Sequence, residues 1–458
     1  MSSHIYFQDE GEAITYVFRS LRKLRGQPRG LDEFTRNTAP TQQLLNHHNL
    51  LHNQREYTVV TGSKGKGSTT ALTARLLQSL GHKTGMITSP HLVSYRERIR
   101  IDGKAIPVED FIRILSQFVP TIDAIEAQLT GEQYFSPQGI FLTVALAWFD
   151  EQDVECAVLE VGRGGRFDDI AVVPNRVSVI TPIMLEHPHQ LGNSLERIAW
   201  HKAGIIKQHG YVYSAPQAPE VLKVLQAEAT LLESDFFWFS NLDLGEYVGP
   251  TENGLKMRLG RYGELEVALL GEYQVMNVTL AVQAAGNVHG RLGGISHGSP
   301  EYIQAIKHGL AHINWPGRLQ KLSDQPAVYV DGAINGTSAR SLVQSLEDQD
   351  RLQDPVIGIV AVPDDKGYID VYKEIGLISE LMILTETGRN ITLHFPDQAT
   401  ALQEAQQFNR NVVFQPNLEQ AVELARQQAG TTGTILIVGT QSIVADAMQL
   451  WGLSYEQL

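Results

Sequence analysis

Residues 61–70 read TGSKGKGSTT, three glycines and two lysines ahead of a run of hydroxyl side chains. The common phosphate-loop spacing, G-x-x-x-x-G-K-[ST], would need a glycine at position 60, where Val60 stands. The chain has Gly62-x-x-Gly65-Lys66-Gly67-Ser68 instead. The shorter loop still does the physical work. Glycines let backbone N–H groups turn toward an anion with no Cβ in the way. Lys66 adds a cation for the β- and γ-phosphates, and the hydroxyl of Ser68 or Thr69 suits Mg2+. The flanks agree. YTVV (57–60) is apolar and β-branched, as in a buried strand, and residues 68–80 carry apolar side chains at helical spacing up to Gly81. Strand, glycine turn and helix start make an anion site.

The same alternation continues. Strands are expected at 57–61, 83–88, 154–161, 176–181 and 210–214, and helices at 68–80, 107–129, 138–151, 194–206 and 216–232. This predicts an α/β unit with a mostly parallel sheet. Residues 9–55 are polar and helix-leaning, and 241–271 read as a small antiparallel side sheet before a helix at 274–292. After GGISHGSP (293–300) and a helical stretch (301–312), apolar runs return at 327–331, 356–362, 381–385, 411–414 and 434–438. They predict a second, Rossmann-like α/β domain, without the G-x-G-x-x-G of a dinucleotide site. The division falls near 295 or near 314; the reading adopted is 1–298 for the nucleotide-binding domain and 299–458 for the second.

Composition excludes some classes. A net charge of −14 argues against nucleic acid and anionic membrane as partners. No apolar run approaches a membrane span, and no leader pattern opens the chain. The one cysteine, Cys156, lies in an apolar run and is read as packing, which fits a reducing, cytoplasmic setting.

Several stretches come in a fixed order: TGSKGKGST (61–69), ITSPHLVSYRERIRIDG (87–103), AVLEVGRGGRFD (157–168), ERIAWHKAGIIK (196–207), GEYQVMN (271–277), WPGR (315–318) and DGAIN (331–335). Together they resemble the folylpolyglutamate synthase / dihydrofolate synthase family, a branch of the Mur ligases. With the loop at residue 62, no room is left for the additional N-terminal domain of peptidoglycan-building Mur ligases. The resemblance implies ATP-dependent amide formation: a carboxylate takes the γ-phosphoryl group, and an amino acid, glutamate in this family, displaces phosphate. It implies ATP at Gly62, Gly65, Lys66, Gly67, Ser68, Thr69, Gln274, Asn277, Arg318 and Asp331. It implies Mg2+, as two ions, at Ser68, Glu160, His187 and Lys202, with Lys202 carbamylated in much of the family; His189 competes with His187. Lys66, His187 and Lys202 would be the catalytic residues. The small-molecule carboxylate would meet Ser89, Pro90, His91, Arg98, Arg166 and Asp168. Relatives are usually monomers.

The chain departs from the family pattern at four places: Ser63-Lys64 for threonine-asparagine, PheAspAspIleAla after Arg166, Gly139-Ile140 for a Phe-Glu pair, and DGAING (331–336) for Asp-Gly-Ala-His-Asn-Pro. Ile334 can neither donate nor accept a hydrogen bond. The nucleotide and metal sides are mostly kept, and the acceptor and amino-acid sides are altered. A folate ligase, a ligase for another carboxylate, and a non-catalytic ATP-binding relative all remain open at this point.

Overall fold

A computed structural model describes residues 5–24, 26–27, 29–51, 55–389, 393–454 and 456–458. The opening four residues of the stretch read as lacking a leader, and 52–54 of the polar N-terminal stretch, lie outside the described residues.

Eight strands form the first sheet: β1 (Glu56–Thr61), β2 (Thr84–Ile87), β3 (Ile99–Ile101), β4 (Lys104–Ala105), β5 (Cys156–Glu160), β6 (Val177–Ile180), β7 (Tyr211–Ser214) and β8 (Asp235–Trp238). Their spatial order is β4-β3-β2-β5-β1-β6-β7-β8. From β2 to β8 neighbours run parallel, while β3 and β4 pair antiparallel. β1 has five buried residues of six, and β2 and β5 are buried throughout, which is why they read as continuous apolar runs. The chain leaves β1 toward β2 on one side, while from the neighbouring β6 it goes on to β7 on the other. A crevice opens at such a switch point, beyond the strands' carboxyl ends.

The helix Lys66–Ser79 follows β1 and packs against Gln274–Leu292 and Pro300–Ala311. Tyr302, Ile306 and Leu310 of the last helix share a core with Leu72, Leu76 and Val278. A division at 298/299 would cut this helix from that core; one near 314 leaves it in place. The side sheet has three antiparallel strands, β9 (Glu246–Thr251), β10 (Gly254–Leu259) and β11 (Gly263–Val267).

The second unit's sheet holds β12 (Gln320–Asp324), β13 (Ala327–Asp331), β14 (Val356–Ala361), β15 (Leu381–Leu384), β16 (Val412–Phe414) and β17 (Thr434–Gly439), in the order β12-β13-β17-β14-β15-β16. Only β12 is antiparallel. The last residues return to the first unit. Gln457 bridges Lys104 on β4, the Leu458 amide donates to Gly103 O at 3.0 Å, and Arg96 pairs with Glu456 at 2.5 Å. They cover an edge that would otherwise be open. No helix among the described residues is long and apolar enough to cross a membrane.

Candidate active site

The loop that leaves β1 is shaped by two glycines. Gly62 has φ +140° and Gly65 φ +89°. A Cβ on Gly62 would overlap the Thr181 side chain, and one on Gly65 would stand 2.5 Å from Asn277 Oδ1. No side chain caps the 14-residue helix that begins at Lys66. Its first N–H groups are therefore left for another acceptor. Lys66 Nζ donates to Gly62 O at 3.0 Å.

Gln274 and Asn277 lie beneath the loop, both fully buried. Thr69 Oγ1 donates to Asn277 Oδ1 at 3.2 Å, and Asn277 Nδ2 to Gln274 Oε1 at 2.8 Å. Gln274 Nε2 has no partner among the described residues. This pair props up Gly65 and Thr69 from the helix Gln274–Leu292.

Glu160 ends β5 beside Val60 of β1 and is buried. Its Oε2 accepts from the Ser89 amide at 2.9 Å. A Cβ on Gly67 would lie 3.6 Å from the same oxygen, so the carboxylate sits against the loop next to buried Ser68. Burial holds the Glu160 carboxyl above its ordinary range; Lys66, the Ser89 amide, Arg318 and Arg98 pull the other way. Arg98 Nε donates to His91 Nδ1 at 3.2 Å, and its guanidinium lies over the rings of Tyr95 and Phe141. Burial first, then Arg98 and Arg389, push His91 down to about 3, leaving a neutral ring. Pro90 is exposed beside it.

Lys202 is fully buried on the helix Leu195–Ala203. Its Nζ donates to Gly62 O at 2.7 Å, Arg163 O at 3.0 Å and Glu186 Oε1 at 2.9 Å. Burial lowers its pKa to about 8 against the pull of Glu186. Burial alone would raise Glu186, but Lys202 and Lys66 hold it below the usual carboxylate range.

The other expected residues have these surroundings. His187 is exposed at φ +49°, and burial of part of its ring together with Arg163, Lys202 and Lys366 outweighs Glu186 and lowers its pKa. No three His, Cys, Asp or Glu gather as a metal site among the described residues. Arg166 pairs with Glu228 at 2.8 Å and lies over Trp200. Asp168 is buried, accepting from Gly162 N and Arg36 Nη1 at 3.1 and 3.3 Å.

Just ahead of the second unit, Trp315 reaches the loop: its ring lies 3.1 Å from where a Gly67 Cβ would stand. Asp331 accepts from the Leu319 amide at 2.7 Å, and burial raises its pKa while Arg318 opposes the rise. Ile334 packs against the second unit's core.

Sequence reasoning missed three partners. Arg36 lies in a stretch without periodicity, yet it pairs with Asp168 and Asp169. Thr41 donates to Asp169 Oδ1 at 2.6 Å. Glu186 has no role in the sequence reading, though a carboxylate beside a buried lysine is the partner such a lysine needs.

A nucleotide-type loop at a switch point, with a buried carboxylate on one side and a second α/β unit on the other, defines a two-domain phosphoryl-using ligase. The chain matches the Mur ligase middle domain over residues 60–285 and the Mur ligase glutamate ligase domain over 317–441. It is 32% identical to the folylpolyglutamate synthase of Lacticaseibacillus casei over 324 residues, covering 69% of this chain and 73% of that protein. It is 29% identical to the dihydrofolate synthase/folylpolyglutamate synthase of Bacillus subtilis over 400 residues, 84% of this chain and 88% of the relative. The folylpolyglutamate synthase of Mycobacterium tuberculosis, solved with ADP and AMPPCP, superimposes with a TM-score of 0.81 at 25% identity over 96% of this chain and 99% of that one. The chain belongs to the folylpolyglutamate synthase / dihydrofolate synthase family within the Mur ligases.

Proposed function

We propose that this chain is an ATP-dependent ligase that joins L-glutamate to the carboxylate of a folate or dihydropteroate through an acyl phosphate. One observation carries the reading: the uncapped helix start with Lys66 lies between buried Glu160 and the Arg318–Asp331 end of the glutamate ligase domain. The relatives' activities support the choice of acceptor and amino acid.

A carboxylate oxygen attacks the terminal phosphorus of ATP, and the bond from that phosphorus to ADP breaks. The amine of glutamate then attacks the acyl carbon, phosphate leaves with the former carboxylate oxygen, and the nitrogen loses a proton. Loop amides and Lys66 bind the phosphates and stabilise the migrating charge, with Arg318 approaching from the other unit. Trp315 against Gly67 helps keep water from the acyl phosphate.

The residues fit Mg2+ in part. Glu160 is a buried carboxylate whose burial cost a cation would offset, and Ser68 adds a hydroxyl, both hard oxygen donors. Mg2+ held there would neutralise phosphate charge. His187, a softer donor, rests on the family resemblance alone. The three oxygens around Lys202 Nζ are the acceptors that an ammonium's three protons take. A carbamate would turn negative charge toward those same oxygens. Unmodified Lys202 is the cation that fixes Gly62 and Glu186; a carbamate on it, as the family resemblance implies, would supply an oxygen for a second ion. One chain carries every residue used here, so a monomer suffices.

A second reading is favoured by one observation. A Cβ on Gly139 would overlap Thr41, so the helix Ala39–His47 sits where the family's aromatic side chain would project. That wall suits an acceptor of another shape. The test is a product mass measured with Mg-ATP and glutamate against dihydropteroate, reduced folates and other carboxylates. A folate one glutamyl residue heavier, made by the wild type and not by Lys66→Ala, is the expected result. Mass gain only on a non-pterin acid would establish the second reading.

A further inference from the structure

Between the two glycines that shape the loop stands Lys64, which no role above uses. Its backbone is held on both sides. The Ser63 amide donates to Pro182 O at 2.8 Å, and the Met184 amide to Ser63 Oγ at 3.0 Å. Gly65 is fixed over Asn277 in the left-handed region. The Lys64 side chain is exposed and makes no hydrogen bond or ion pair among the described residues. The charges around it are Glu186 and Lys66 from the first unit and Arg318 and Asp331 from the second. Asp331 in turn feels Lys64.

This placement is costly by itself. Like charges repel, and Lys64 shares its surroundings with Lys66 and Arg318. Glu186 is already committed to Lys202, and Asp331 to the Leu319 amide. A polyanion between the three cations would remove the conflict. Lys66 begins the helix and sits where its amides face the inner phosphates. Lys64 lies two residues before Lys66 on the loop and within electrostatic reach of Arg318 and Asp331, which belong to the Mur ligase glutamate ligase domain matched over 317–441. The phosphoryl group to be transferred belongs at that junction, because the acceptor carboxylate has to reach it and the amine then has to reach the acyl carbon beside it.

We propose that Lys64 is a second phosphate-binding cation of the loop, directed at the terminal phosphoryl group of ATP, where it and Arg318 follow the charge as that group moves to the acceptor carboxylate. The proposal rests on the reading of the loop as an ATP site.

The experiment compares ADP with AMPPCP, which keeps the terminal phosphonate, by titration calorimetry in the presence of Mg2+. Wild type, Lys64→Gln and Lys64→Arg are measured, with thermal unfolding to check that each variant is folded. Lys64→Gln should weaken AMPPCP about tenfold and ADP by less than about threefold, as expected for loss of one charge-assisted contact to the terminal group. Lys64→Arg should restore most of the AMPPCP affinity. Equal losses for both nucleotides, or no loss, would overturn the proposal while leaving the loop reading intact. Wild-type protein that binds neither nucleotide would overturn the loop reading and the proposal together.

Discussion

At the residue scale, the strongest physical statement concerns Lys202. Its pKa is lowered to about 8 in the folded protein from the ordinary 10.5. Between those values the unfolded chain binds more protons than the folded one, so Lys202 makes stability rise with pH across that window. Urea unfolding of wild type and Lys202→Met from pH 8 toward 10 should show the wild type gaining on the variant. A stability gap that stays constant with pH would show that Lys202 is not buried as an ammonium. The residue itself was legible because Trp-His-Lys-Ala-Gly matches a family motif. Its three acceptors were not, since Gly62, Arg163 and Glu186 come from three separate loops and only the fold brings them together. His187 marks the opposite limit. A motif gave it a ligand role, but its place in the sequence says nothing of its distance from Glu160.

At the element scale, long buried strands and long amphipathic helices were readable, and short or edge pieces were not. β1, β2, β5, β6 and β7 and the helices after them fall within a few residues of expectation, because complete burial forces continuous apolar runs. β4 has two residues, and β8 is mostly exposed, so neither leaves a burial pattern to read. β12 was missed for a similar reason: it is a half-buried edge strand with a polar sequence. Packing also explains a departure that the sequence left bare. Gly139 opens space for Thr41, which then bonds Asp169. Gly139→Ala should gain helix propensity of about 1 kcal/mol but lose more through overpacking against Thr41, for a net destabilisation of about 1–2 kcal/mol. Chemical denaturation reads this directly; a stabilised variant would mean that the helix Ala39–His47 does not press on Gly139.

At the scale of the whole molecule, the account depends on two units meeting over one loop. Trp315 touches Gly67, Arg318 and Asp331 act on Lys64, and the last residues bond back onto β4. The two α/β units were visible in the alternation of strands and helices. Their meeting over the loop was implied only by the resemblance, through Arg318 and Asp331; the return of the last residues to β4 was not, because that terminus carries no motif. The helix Pro300–Ala311 joins the first unit's core, something its own periodicity does not specify. The central claim is that this junction passes a phosphoryl group to a carboxylate before the amide forms. The direct measurement uses dihydropteroate or a reduced folate labelled with heavy oxygen in the reacting carboxylate, with Mg-ATP and glutamate, and a mass analysis of the released phosphate. One heavy oxygen in each phosphate, matched by one lost from the amide product, is the predicted result. Phosphate released without label would contradict the acyl phosphate and the account built on it.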